Sequence, residues 1–135
     1  MKSTVSLLSI LLFTALVLTA CSKKNIYNSE TITQLELNDY INKIKTSDNF
    51  IIIDVRTAPE FEKGHYPTAI NINLIQSKKF QQEIEKLDRS KTIFLYCETA
   101  HRSPFATNFL KKAGFTKIYD LEKGYSQIRK HSTQN

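Results

Sequence analysis

The chain has 135 residues, which at roughly 100–200 residues per domain is enough for a single domain. An apolar fraction of 41% with 24% charged residues excludes a disordered chain, and three glycines and three prolines exclude collagen-like or low-complexity architecture. Two cysteines, Cys21 and Cys97, exclude a disulfide scaffold and offer no zinc spacing, while 19 basic against 13 acidic residues leave a charge of +6 that suits an anionic small substrate as well as a nucleic acid.

Residues 1–20 read as a targeting segment rather than as part of the fold. Met1-Lys2 supplies a positive start, and the apolar run from Val5 to Leu18 falls short of the ~20 residues that span a bilayer. Leu18-Thr19-Ala20-Cys21 resembles the lipobox of bacterial lipoproteins, in which the peptide is cut before a cysteine that becomes lipidated. The resemblance implies a lipid-anchored protein of the bacterial cell envelope. Because Ser22 is not the aspartate that retains such proteins at the inner membrane, the periplasmic face of the outer membrane is expected in a Gram-negative source. Residues 21–30 then form a lipidated N-terminus and a polar linker that reaches about 30 Å when extended, and residues 31–135 form the domain. With Cys21 committed to lipid, Cys97 has no internal partner, which is unusual for a thiol outside the cytoplasm.

From Ile32 onward helical and strand periodicities alternate. Thr33 and Glu36 fit a capping box, with Ile32 and Leu37 as its hydrophobic staple, and Leu37, Tyr40, Ile41 and Ile44 mark one helix face. Phe50 to Val55 is a continuous apolar run broken only by Asp54, the pattern of a strand buried on both faces. Pro59 opens and Gly64 closes a helical turn, residues 69–72 form a short strand, and Phe80, Ile84 and Leu87 are spaced for a helix. Thr92 to Tyr96 is a second buried strand. Ser103-Pro104 starts a helix that turns Phe105, Phe109 and Leu110 inward and stops at Gly114. A strand over residues 117–121 and a helix after Gly124 complete the chain. This alternation predicts an α/β fold, a central parallel sheet with helices on both faces and ligands beyond the carboxyl ends of its strands.

Cys97 falls at one such end. The order strand, cysteine, short loop, arginine, helix has a chemical logic. A free thiol with a pKa near 8.5 is only about 3% ionised at pH 7, and backbone N–H groups converging at a helix N-terminus favour the thiolate. Those N–H groups also cradle an oxyanion, and Arg102 adds a planar cation suited to sulfonate or phosphate oxygens. An isolated buried cysteine is most often inert; the loop, the helix start and Arg102 together single this one out.

Asp54-Val55-Arg56 with the stretch from Glu60 to Asn71 resembles the first signature of rhodanese domains. Tyr96-Cys97-Glu98-Thr99-Ala100-His101-Arg102-Ser103 resembles their active-site loop, and residues 115–124 their closing stretch. Small exported single-domain members, the phage-shock sulfurtransferases among them, are the nearest comparison. The resemblance implies a rhodanese-like fold and a sulfurtransferase. Cys97 is the expected nucleophile, taking sulfane sulfur from thiosulfate or a related donor as a persulfide and passing it to cyanide or a thiol, without metal or organic cofactor. Glu98, Thr99, Ala100, His101 and Arg102 form the expected substrate cradle, with Asp54, Arg56 and Glu60 as an ion-pair set beneath it. A catalytically weak sulfur-carrier or binding module of the envelope is the alternative. A phosphatase or arsenate reductase ranks third, because such enzymes use C-x5-R and only four residues separate Cys97 from Arg102.

Three features of the loop carry expectations of their own. Ala100 stands where the family usually has glycine, so a positive φ there implies strain. Glu98 places a negative charge beside the thiolate; at ~6 Å such a charge costs about 0.7 kcal/mol in a water-like dielectric and nearly 3 at an effective value of 20. His101 either shuttles a proton or faces water. From Cys97 onward there are seven basic and three acidic residues, a solvated surface or an attraction for anions. Nothing interleaves aromatic and basic residues as nucleic-acid binding requires, and a monomer is expected.

Overall fold

The computed structural model describes residues 29–132, so Cys21 with its lipobox-like sequence and the expected targeting segment lie outside the described residues. Within them no helix is long and apolar enough to cross a membrane. Five strands, β1 (Ile32–Leu35), β2 (Phe50–Asp54), β3 (Ile70–Asn71), β4 (Thr92–Tyr96) and β5 (Ile118–Leu121), form one sheet in the order β1-β5-β4-β2-β3. Every pairing is parallel, with β2 and β4 in register from Phe50↔Thr92 to Asp54↔Tyr96. The helices are α1 (Leu37–Lys45), α2 (Ala58–Glu62), α3 (Ser77–Glu85), α4 (Ser103–Lys112) and α5 (Tyr125–Ser132).

The period-2 alternation of the strands sorts the core onto two faces. On one, Ile53, Ile93, Leu95 and Ile118 pack with Phe80 and Ile84 of α3 and Ala106 and Leu110 of α4. On the other, Ile52, Phe94, Tyr96 and Leu121 pack with Tyr40 and Ile44 of α1 and Tyr125 and Ile128 of α5. The second face is aromatic: Phe94 meets Tyr40 and Phe50 edge-on at 5.4 and 5.7 Å and stacks on Tyr119 at 5.1 Å. Just past β4 the same alternation puts Cys97 with the first face.

Two local expectations are corrected. The Thr33–Glu36 capping box does not form, because Thr33 lies in β1, paired with Tyr119 of β5; α1 starts one turn later, after Glu36, which makes no side-chain cap. A four-residue strand gains its hydrogen bonds from the sheet, and that tertiary pairing overrides a local capping signal. The inward assignment of Phe105 also fails: it is 66% exposed, and the buried stripe of α4 is Ser103, Ala106, Thr107 and Leu110. The spacing of those four is i, i+3, i+4, i+7; Leu110 faces inward as expected and Phe109 packs partly buried against the core.

Candidate active site

The carboxyl ends of β2 and β4 lie side by side, so the segments leaving them build one site. Cys97 is 1% exposed, and its sulfur faces the start of α4: the Arg102 N–H donates to Sγ at 3.4 Å and the thiol points to Ser103 Oγ at 3.8 Å. Ser103 is itself fully buried and opens the helix with Pro104 behind it. The first N–H groups of a helix have no intrahelical carbonyl partner and carry its positive dipole end, so Cys97 sits where a thiolate and an attached oxyanion are both stabilised. Thr99 Oγ1 lies 2.9 Å from His101 Nδ1, one hydrogen bond across the loop.

Ala100 adopts φ +61°, so the strain that a positive φ brings to a residue other than glycine is present in this loop. The left-handed region costs a residue with a Cβ about 1–2 kcal/mol, so the tight turn over the sulfur is held by its surroundings. Part of that hold comes from α5. Tyr125 N–H donates to the Cys97 carbonyl at 2.8 Å and Ser126 N–H to the Glu98 carbonyl at 3.2 Å. Gly124, at φ +69°, makes the approach possible: a Cβ there would stand 2.5 Å from the Cys97 oxygen. Sequence reasoning found Gly124 as a helix boundary and missed this contact, since nothing local signals which loop a glycine will meet.

The acidic and basic side chains expected beneath the loop divide into two groups. Asp54 and Arg56 are buried and joined by several bonds, the shortest being Arg56 Nη2 to Asp54 Oδ2 at 2.7 Å. Arg56 also donates to the Gly64 carbonyl at 2.7 Å and lies 3.9 Å from the Tyr125 ring centre, and Asn71 Nδ2 donates to the carbonyls of Asp54 and Arg56. Burial works against the Arg56 charge, but its bonds to Asp54 and Glu98 outweigh that and raise its pKa. Glu60 does not belong to this set. It receives Arg102 Nη1 and Nη2 at 2.8 and 2.6 Å, a bidentate fork from the far end of the Cys97 loop. The Arg102 bond, with those from Thr57, holds the Glu60 carboxyl at about 2 against the opposing effect of burial. Thr57 and Glu60 form a true capping box for α2, legible as Thr-x-x-Glu but overlooked beside Pro59.

Two cradle assignments change accordingly. Arg102 lends the sulfur its backbone N–H, while two of its side-chain donors are committed to Glu60 rather than open to a substrate. Glu98 is not a bare charge beside the thiolate: Arg56 Nη1 binds Oε2 at 3.0 Å and Arg129 Nη2 binds Oε1 at 2.5 Å. Arg129, on α5, was not singled out from sequence. His65 Nδ1–H donates locally to the Phe61 carbonyl, 3.0 Å away, and the imidazole stacks on the Phe61 ring. A cavity of about 570 Å³ opens elsewhere, between β3 and α3, lined by Ile70, Asn73, Lys79 and Glu83 among others.

Among the described residues Cys97 is the one thiol, buried at a parallel strand end under a tight loop and against a helix N-terminus. The chain belongs to the rhodanese-like domain family, whose model matches residues 33–131. The putative sulfur carrier protein YrkF of Bacillus subtilis is 30% identical over 97 residues, covering 72% of this chain and 51% of its own. The uncharacterized protein YqhL of the same bacterium is 42% identical over 76 residues, 56% of this chain and 58% of that one. The chain thus spans about half the length of these curated relatives. Among solved structures, a rhodanese-related protein from Thermoplasma volcanium superposes with a TM-score of 0.62 at 26% identity, covering 73% of this chain and 91% of its own.

Proposed function

We propose that the protein is a sulfurtransferase that carries sulfane sulfur on Cys97. The Cys97 thiolate attacks the outer sulfur of thiosulfate or a related donor; the new S–S bond forms as the old one breaks, and sulfite leaves with the electron pair. A thiol or cyanide then attacks the outer sulfur of the persulfide and restores the thiolate. The observation that carries this reading is the Arg102 N–H bond to a buried Sγ at the mouth of α4, which stabilises the charged nucleophile before and after transfer. Four residues between Cys97 and Arg102 make a cradle one residue shorter than C-x5-R, which favours sulfur transfer over phosphate chemistry.

Steady-state thiocyanate formation tests the scheme. Varying thiosulfate at several cyanide concentrations should give the parallel double-reciprocal lines of a two-step exchange, and Cys97→Ser should give no thiocyanate. Intersecting lines, or activity surviving in Cys97→Ser, would exclude it. The setting we propose is the bacterial envelope, with the domain tethered through lipidated Cys21. Support for the tether is the sequence Leu18-Thr19-Ala20-Cys21 behind a short apolar run. Cys21→Ser should release the protein from the membrane fraction; retention of that variant through residues 5–20 would contradict lipid anchoring.

A further inference from the structure

Three guanidiniums surround the Cys97 loop, and each meets a carboxylate: Arg56 with Asp54, Arg102 with Glu60, and Arg129 with Glu98. These six groups sum to zero charge. In the turn ahead of α5, Glu122 and Lys123 also offset each other. An ionised Cys97 therefore adds one negative charge to a balanced set, and a dianion meets more repulsion than a singly charged donor, opposed by the backbone N–H groups of the loop and by the Arg102 donors that Glu60 leaves free.

Glu98 is the member of this ledger that follows Cys97 in the chain, and it alone spans two guanidiniums, one buried and one 57% exposed on α5. Its position is fixed rather than averaged, because α5 also holds the carbonyls of Cys97 and Glu98 by hydrogen bonds. We propose that Glu98 is the specificity-determining residue of this loop: by neutralising Arg56 and Arg129 it tunes the site toward singly charged sulfane donors, such as organic thiosulfonates, and away from dianionic thiosulfate. The inference rests on the sulfur-transfer reading above and assigns its donor class. The step balances for either donor. The thiolate and methanethiosulfonate give a persulfide anion and methanesulfinate, one negative charge each; thiosulfate gives the same persulfide and sulfite.

The test compares full-length wild type, Glu98→Gln, Arg129→Gln and the double variant, each checked for fold by circular dichroism. The first readout needs no sulfur transfer: the ratio of iodoacetate to iodoacetamide alkylation at the Cys97 peptide. Both reagents require the thiolate, so the ratio cancels its abundance and reports the charge felt at the sulfur. The second readout is the ratio of persulfide formation from thiosulfate to that from methanethiosulfonate, two donors that differ by one charge. Each ratio should rise roughly three- to tenfold in Glu98→Gln, fall in Arg129→Gln, and return near the wild-type value in the double variant. The shifts should shrink as salt rises. Ratios unchanged in Glu98→Gln, or moving the same way in both single variants, would overturn the assignment and leave Glu98 as a structural brace. An alkylation ratio that shifts as expected while neither donor adds sulfur would uphold the charge control at Cys97 and overturn sulfur transfer instead.

Discussion

Two arginine–carboxylate pairs flank the Cys97 loop, and they stand in different surroundings. The Asp54 and Arg56 side chains are 0% and 2% exposed, bound to each other, to backbone carbonyls and to the face of Tyr125. Glu60 and Arg102 are 32% and 26% exposed, and they join α2 to the start of α4 across the mouth of the site. The buried pair is scaffold: it fixes the end of β2 and supplies the guanidinium on which Glu98 rests. The outer pair is a brace on the loop itself, and it leaves the Arg102 Nε–H and the outer hydrogens of both terminal nitrogens free of Glu60. The same two residue types thus serve two purposes, and solvent decides which.

Breaking the pairs one at a time should expose that difference. Asp54→Ala removes the main partner of a buried guanidinium, leaving it Glu98 and the Gly64 carbonyl, and is expected to lower stability by about 3 kcal/mol in urea unfolding. A loss below about 1 kcal/mol would mean that Arg56 finds compensation elsewhere. Opening the outer pair should cost about 1 kcal/mol or less, since solvent screens it.

Its signature is a pH dependence. The folded Glu60 carboxyl lies at about 2, below its ordinary value near 4.5, so the stability it contributes is complete above that ordinary value. It is lost as pH falls through the window from about 4.5 to 2. In Glu60→Gln that component of acid destabilisation should be missing, which a series of urea midpoints over this window reads directly. An identical acid limb in both proteins would place the pair outside the folding equilibrium. The smallest effect sharpens the comparison from between the pairs. Ala100→Gly relieves the φ of +61° at the cost of a more flexible unfolded chain, for an expected gain of about 0.5–1 kcal/mol. A lower melting temperature in that variant would show that the Ala100 methyl is needed for packing.

The strands that position the site were legible because β2 and β4 are buried on both faces and read as unbroken apolar runs, Phe50 to Ile53 and Thr92 to Tyr96. The placing of Cys97 and its helix followed from those runs, whereas the question of a positive φ at Ala100 came from the resemblance, which has glycine there. What escaped were contacts made across the fold. Arg102 with Glu60 and Arg56 with Glu98 are each 42 residues apart, and proximity in sequence had grouped Glu60 with Asp54 and Arg56 instead. Nothing in the local pattern of α5 announces that Arg129 reaches Glu98, or that Tyr125 lies under Arg56. Likewise β1 is a strand only because β5 lies beside it. Periodicity reports burial along one element; it does not report which charged side chains two elements bring together.

The central claim is that Cys97 bears the transferred sulfur, and mass reads it most directly. Reduced protein exposed to thiosulfate or methanethiosulfonate and then digested should yield a Cys97 peptide about 32 Da heavier, a gain removed by cyanide or by a thiol. A Cys97 peptide that keeps its unmodified mass with both donors, in folded protein with a titratable thiol, would contradict the account.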